Sequence, residues 1–351
     1  SAPLGALLSH ASLLAAVDAS TAARRVDGDD VYVFPFPLCH VAGYNVLHRH
    51  ANGRPVALLD GFDAVAFCDL VEEVSGTSCS LAATMLASLV ELAEREPQRV
   101  AQLRTLRSIA YGASPMPTDL LRRADGLFGV EFAQGFGMTE LSGNAVFLDA
   151  DAHRRGLDGD GSILRSTGVP APGVEVRIVD ELGGEVTAGA VGEIVVRAPQ
   201  VMVGYLDDPA ATAASLVDGW LHTGDLGRID DGLLFVVDRK KDVIITGGEN
   251  VSSLEVEDVV ASDPTVARVA VVGVPDPTWG ENVCAVVVPV DVATFDPDAS
   301  MALVRDRLAG YKVPRHWWIV DSLPVNAAGK VRKADLRAQL AADPSLAGPR
   351  R

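Results

Sequence analysis

Short β-type runs alternate with helical stretches from Ser9 to about Ala145, then give way from about Gly161 to strands and turns. One chain must therefore hold two kinds of layering. In the first part, Val31 to Phe36 reads as a strand, and Val65, Cys68, Leu70, Val71 and Val74 mark the apolar face of a helix. Leu81 to Leu92 reads as an apolar helix, Ser108 to Tyr111 as a buried strand, Thr118 to Phe128 as a helix and Val130 to Ala133 as a further strand. Gly112-Ala113-Ser114 and Gly135-Phe136-Gly137 both follow such strands, where an open parallel sheet places its ligand crevice. The fold class is thus α/β, layered to about residue 145. A second, helix-free part at about 160–238 suits a small antiparallel barrel or distorted sheet, from Val174–Val179 and Gly192–Arg197 to Leu233–Val237. The charge-dense stretch Asp238 to Asp242 reads as a linker. Beyond it comes a small α+β unit, with a helix from Ser252 or Ser253, strands at Arg268–Val274 and Val283–Val290, a helix at Met301–Leu308 and a last strand at Trp317–Val320. The expected domains are 1–238 and 239–351, with a hinge at 239–242.

Composition narrows the function. With 351 residues and 48% hydrophobic content, the chain can bury a large core and divides into more than one domain. No run approaches the roughly 18 apolar residues of a membrane span, and the start has no charged-then-apolar secretory pattern, so a cytoplasmic location is expected. Cys39, Cys68, Cys79 and Cys284 form no C-x-x-C pair and are expected as reduced core thiols. The formal net charge of −17 repels a phosphate backbone and disfavours nucleic acid as a partner. A single nucleotide is still allowed where local groups are arranged for it.

Four segments stand in a fixed order: Gln134-Gly135-Phe136-Gly137-Met138-Thr139-Glu140; Leu221-His222-Thr223-Gly224-Asp225; Asp238-Arg239-Lys240-Lys241-Asp242 leading to Thr246-Gly247-Gly248-Glu249-Asn250; and Asn326-Ala327-Ala328-Gly329-Lys330. Together they resemble the adenylate-forming, AMP-binding superfamily, in its acyl-CoA synthetase and fatty-acid-CoA ligase branch, over essentially the whole chain. The resemblance implies a large α/β domain with a β-barrel-like subdomain, followed by a small mobile α+β domain. It implies that a small-molecule carboxylic acid attacks the α-phosphate of ATP, with Mg²⁺, and that coenzyme A then takes the acyl group. Ala2-Pro3-Leu4-Gly5 looks like the last residues of the family's phosphate loop, with Leu4 at its lysine position.

Phosphoryl chemistry requires positioning and neutralisation of charge on oxygen. On the resemblance, Gly135 and Gly137 let backbone approach a flat ligand, Phe136 (usually Tyr in the family) stacks on adenine beside Met138, Thr139 offers a hydroxyl to phosphate, and Glu140 binds Mg²⁺. Gly112, Ala113 and Ser114 line the adenine. Asp225 accepts from the ribose hydroxyls and Arg239 is the second ribose contact. Lys330 is the adenylation cation, Lys241 the hinge, and Gly247, Gly248 and Glu249 belong to the thiol half-reaction. Each has a plainer reading: a turn for Gly-Phe-Gly and for Thr-Gly-Asp, a solvated charge for Arg239, a surface lysine for Lys330. His40, in Pro35-Phe36-Pro37-Leu38-Cys39-His40-Val41-Ala42-Gly43, borders the acyl pocket or is a packed core histidine.

The leading expectation is therefore an acyl-CoA synthetase polypeptide that lacks the family's first part and has little or no activity alone. A missing N-terminal segment or an oligomer partner then covers the exposed sheet flank. The alternative from another class is a non-catalytic adenylate- or CoA-binding remnant or interaction protein. A luciferase-like oxygenase shares every nucleotide motif.

Overall fold

The computed structural model describes residues 4–24, 26–112, 116–159, 161–325 and 331–342. Ala113, Ser114 and Lys330 lie outside the described residues. The strands are β1 (Ala6–Leu7), β2 (Tyr32–Phe34), β3 (Val56–Leu58), β4 (Ser78–Leu81), β5 (Ser108–Gly112), β6 (Glu131–Met138), β7 (Gly143–Leu148), β8 (Val169–Pro170), β9 (Glu175–Val179), β10 (Gly192–Arg197), β11 (Gly204–Tyr205), β12 (Leu216–Val217), β13 (Trp220–Asp230), β14 (Leu233–Arg239), β15 (Ile244–Thr246), β16 (Glu249–Val251), β17 (Val266–Asp276), β18 (Gly280–Pro289) and β19 (His316–Ile319). The helices are α1 (His10–Ala23), α2 (Tyr44–Ala51), α3 (Ala64–Val74), α4 (Ala83–Arg95), α5 (Thr118–Phe128), α6 (Ala150–Asp158), α7 (Pro209–Ser215), α8 (Ser253–Ala261), α9 (Pro297–Arg307) and α10 (Lys333–Ala342). Two units emerge: one runs to Thr223 and takes in Gly227–Val236, the other takes in Gly224–Leu226 and the chain from Val237 onward.

In the first unit a seven-stranded sheet has the order β3-β2-β4-β5-β6-β7-β8. Pairing is parallel from β3 to β6 and antiparallel at β6–β7 and β7–β8. The chain moves outward from β2 to β3 and then returns to β2's other side at β4, so the topological switch falls between β2 and β4. Strands covered by helices must be apolar on both faces, and Tyr32, Val33 and Phe34 are all fully buried. Phe67 of α3, Leu86 and Leu89 of α4, Ile109 of β5, Leu121 of α5 and Phe132 of β6 build one core. Each such side chain contributes about 1.5–3 kcal/mol by leaving water. Asp63 starts α3 by accepting from the Ala66 amide at 2.9 Å, and Gly129, in the left-handed region, ends α5.

The second part of this unit holds a five-stranded sheet in the order β12-β13-β10-β9, with β14 alongside β13. Its core is Leu141, Ile178, Ile194, Val196, Met202, Leu221 and Leu234. The expectation of strands without helices fails at α7, an Ala-rich helix that Asp208 caps through the Ala211 amide at 2.8 Å. Helix propensity and the cap prevail in a segment with few β-branched residues. Ser78–Leu81, read as helix at its end, is a buried strand, and α4 begins only at Ala83.

The second unit shows a period of two in its sheet. On β17 and β18, Val271, Val283, Ala285 and Val287 face Val256, Val260 and Val304 of α8 and α9. Ala270, Val272, Val274, Cys284 and Val286 face Leu336 and Leu340 of α10. The sheet order is β16-β15-β18-β17, and β19 pairs in parallel with β18. The charged stretch Asp238 to Asp242, which begins within β14, is less of a linker than its composition suggests. Asp238 is 1% exposed and accepts from Ser253 N at 2.5 Å and Ser253 Oγ at 2.8 Å, which secures the start of α8. Among the described residues no helix is long and apolar enough to cross a membrane. Cys68, Cys79 and Cys284 are buried, whereas Cys39 is exposed, because it lies in the loop after β2 and not in the core.

Candidate nucleotide site

The carboxyl ends of the parallel strands carry most of the residues singled out in the first unit. β5 ends at Gly112, which pairs with Gly135 in β6. Gly135, Phe136 and Gly137 do not follow a strand as the sequence suggested; they are part of β6, and the register shifts between Phe136 and Gly137. Close approach explains both glycines from within the protein. A Cβ on Gly135 would stand 2.0 Å from Asn144 Nδ2, and one on Gly137 would stand 2.0 Å from the Gly143 carbonyl. Phe136 and Met138 are half-buried against the Leu141 and Val146 core.

After β6 the chain turns through a short 3₁₀ segment, Thr139–Leu141, ended by Ser142 at a φ of 56°. Thr139 is exposed. The Glu140 carbonyl accepts from Met202 N at 2.8 Å, and its Oε1 accepts from the Tyr205 hydroxyl at 2.9 Å. The start of the described chain is attached to the same place. β1 pairs with β11, Leu206 N donates to Gly5 O at 2.7 Å, and Val203 N donates to Leu7 O at 2.8 Å. The strand that follows the segment resembling the end of a phosphate loop is thus a partner of Tyr205, through Ala6. Among the described residues no cluster of three His, Cys, Asp or Glu stands ready for a metal. One carboxylate with a neighbouring hydroxyl suits Mg²⁺, which keeps several waters and takes other ligands from phosphate.

His40 follows β2 and caps a 3₁₀ segment, Val41–Gly43, its Nδ1 accepting from Ala42 N at 3.1 Å. Its ring stacks on Phe36 with centroids 5.0 Å apart, and burial lowers its pKa. An acceptor Nδ1 leaves the proton of the neutral ring on Nε2. Sequence reasoning passed over His153 of α6. Its Nε2 lies 2.8 Å from the Tyr111 hydroxyl and its Nδ1 lies 2.8 Å from the Asp149 carbonyl, beneath the end of β5. No local pattern marks it.

In the second unit, Asp225 Oδ1 and Arg239 Nε stand 3.3 Å apart. Lys240 N donates to Gly224 O at 2.9 Å, which ties the two segments. Lys241 is exposed in the turn where Asp242 N donates to Arg239 O at 2.8 Å. Gly247 and Gly248 form the two-residue loop between β15 and β16 at φ of 62° and 85°. A tight hairpin of this kind favours glycine at both places. Gly247 N also donates to Trp279 O at 2.8 Å, and a Cβ there would come within 2.8 Å of the indole. Glu249 is exposed at the start of β16. Trp279, not singled out from sequence, is 43% exposed with Arg315 stacked 4.2 Å over its ring.

This combination of doubly layered sheet, β subdomain and small α+β unit matches the family model described as AMP-binding enzyme over residues 1–206. The model for the AMP-binding enzyme C-terminal domain matches residues 255–330. The chain belongs to the AMP-binding enzyme family. It is 40% identical over 338 residues to a feruloyl-CoA synthase of Amycolatopsis, covering 95% of this chain and 67% of that one. It resembles the solved amide bond synthetase McbA of Marinactinospora thermotolerans with a TM-score of 0.87 and 38% identity, over 96% of this chain and 67% of that one. It also resembles the Bacillus subtilis o-succinylbenzoate coenzyme A synthetase MenE in complex with ATP and magnesium ion, with a TM-score of 0.83 and 31% identity, over 97% and 67% of the two chains. The chain thus spans about two thirds of the length of these relatives.

Proposed function

We propose that this chain is part of an acid–thiol ligase that activates a carboxylic acid with ATP as an acyl adenylate and transfers the acyl group to coenzyme A. The observation that carries the reading is the Thr139–Glu140 turn at the carboxyl end of β6, held by Tyr205, in a chain of this family. Thr139 offers its hydroxyl to phosphate, and Glu140 holds Mg²⁺, which neutralises phosphate charge when bound. Asp225 and Arg239 receive the ribose, Gly112, Ala113 and Ser114 with Phe136 receive the base, and Lys330 supplies the cation at the substrate carboxylate. Residues 1–238 act as the nucleotide-binding domain and 239–351 as the mobile domain, with Lys241 as hinge and Gly247, Gly248 and Glu249 serving the thiol. His40 borders the acyl pocket with a neutral ring. The similarity to an amide bond synthetase keeps an amine as the competing acyl acceptor.

The test is mass spectrometry of products from Mg-ATP, a panel of aryl and fatty acids, and either coenzyme A or an amine. The protein is expected to give a CoA thioester. Amide without thioester would replace the thiol reading, and neither product would end it.

A further inference from the structure

Tyr205 lies outside every motif singled out from the sequence, yet it is fixed from several sides. Its backbone pairs with Ala6 across β1–β11, and its amide donates to Thr212 Oγ1 on α7 at 2.8 Å. Thr212 Oγ1 in turn donates to Asp208 O at 2.8 Å. With its ring on the Leu141 and Met202 core, the phenol points its O–H at Glu140 Oε1, 2.9 Å away.

We propose that Tyr205 is a positioning residue for Glu140: its hydroxyl occupies Oε1, fixes the carboxylate rotamer and leaves Oε2 for Mg²⁺. The inference rests on the reading of Glu140 as the metal ligand. A carboxylate on a flexible side chain that is already hydrogen-bonded loses less freedom on binding a cation, and removal of such an outer partner lowers metal affinity about 10–100-fold. The strand that follows the phosphate-loop resemblance, β1, is clamped to the same tyrosine, so one residue registers both phosphate-side elements.

The test is calorimetric ATP binding to the chain at graded Mg²⁺, with AMP binding in EDTA as the metal-free reference. Tyr205→Phe keeps the ring and its packing. It is expected to raise the Mg²⁺ concentration for half-maximal ATP binding about tenfold or more, with AMP affinity in EDTA unchanged. Glu140→Gln abolishes the Mg²⁺ dependence. If wild-type and Tyr205→Phe proteins share one midpoint while Glu140→Gln loses it, the inference is overturned and the parent reading stands. If Tyr205→Phe weakens AMP in EDTA as much as Mg-ATP, the tyrosine is structural and the inference also fails. A folded wild-type chain whose ATP binding ignores Mg²⁺ removes the parent reading and the inference with it.

Discussion

Arg239 Nε stands 3.3 Å from Asp225 Oδ1, joining two segments that are separate in sequence and were each assigned to the ribose. The arginine side chain is 41% exposed and the Asp225 side chain 9%. Asp225→Asn keeps the shape of that buried side chain and should weaken AMP binding about tenfold or more, since a charged acceptor is replaced. Thermal melts and calorimetric titration of the same variant check this. A variant that melts early and binds AMP normally would mark the pair as structural.

Gly135 gives the opposite pattern. Its alanine variant must displace Asn144, whose Nδ2 would be 2.0 Å from the new methyl, so Gly135→Ala should destabilise by roughly 1–3 kcal/mol. Asn144→Gly in the same molecule should restore most of that loss, as expected for residues that share one space. Melting curves of the two single variants and the double variant measure the coupling.

Acid should unfold this protein in a way that one histidine controls. His48 is fully buried, neither ring nitrogen has a hydrogen-bonding partner among the described residues, and burial, aided by the charges of Arg24 and Arg49, lowers its pKa to about 3. In the unfolded chain the value is about 6.5. Between these values the unfolded state takes up a proton that the folded state refuses. Stability from this group is thus complete above pH 6.5 and falls as pH drops toward 3, by about 1.4 kcal/mol per pH unit. His48→Leu removes no hydrogen bond and should flatten the fall in melting temperature across that window. An unchanged pH profile would show that other groups dominate.

Thiol chemistry should report the core. Cys39 is exposed, whereas burial pushes the Cys68 thiol up to about 11 and the Cys284 thiol up to about 12, and also raises that of Cys79. Ellman's reagent should titrate one thiol in the native chain and four after denaturation. Cys39→Ser should then leave no fast-reacting thiol.

The sequence showed the layered order of the fold because the buried strands are continuous apolar runs and the helices carry apolar faces. Val31 to Phe36 and Ser108 to Tyr111 read this way, and the strands there are Tyr32–Phe34 and Ser108–Gly112. Boundaries were lost where chemistry was mixed: Ser78-Cys79-Ser80-Leu81 has polar side chains yet is a buried strand, because Tyr32 and Asp30 take up Ser80 and Ser78. The candidate site was legible as ordered motifs, but its supports were not. Tyr205 meets Glu140 across 65 positions and His153 meets Tyr111 across 42, separations at which no local pattern signals contact. Gly135 and Gly137 read from sequence as places where backbone approaches a flat ligand; the close neighbours that the fold itself gives them are Asn144 and Gly143. Asp238 read as part of a linker because its partner, the start of α8, lies 15 positions on.

The most direct test of the central claim is calorimetric titration of the folded chain with AMP, alone and beside Asp225→Asn. AMP needs no triphosphate cradle, so the ribose and adenine contacts assigned above should suffice for saturable, one-to-one binding that the variant weakens. A folded chain that takes up no AMP, or one that binds it equally well without the Asp225 carboxylate, would contradict the adenylate-forming reading of these residues.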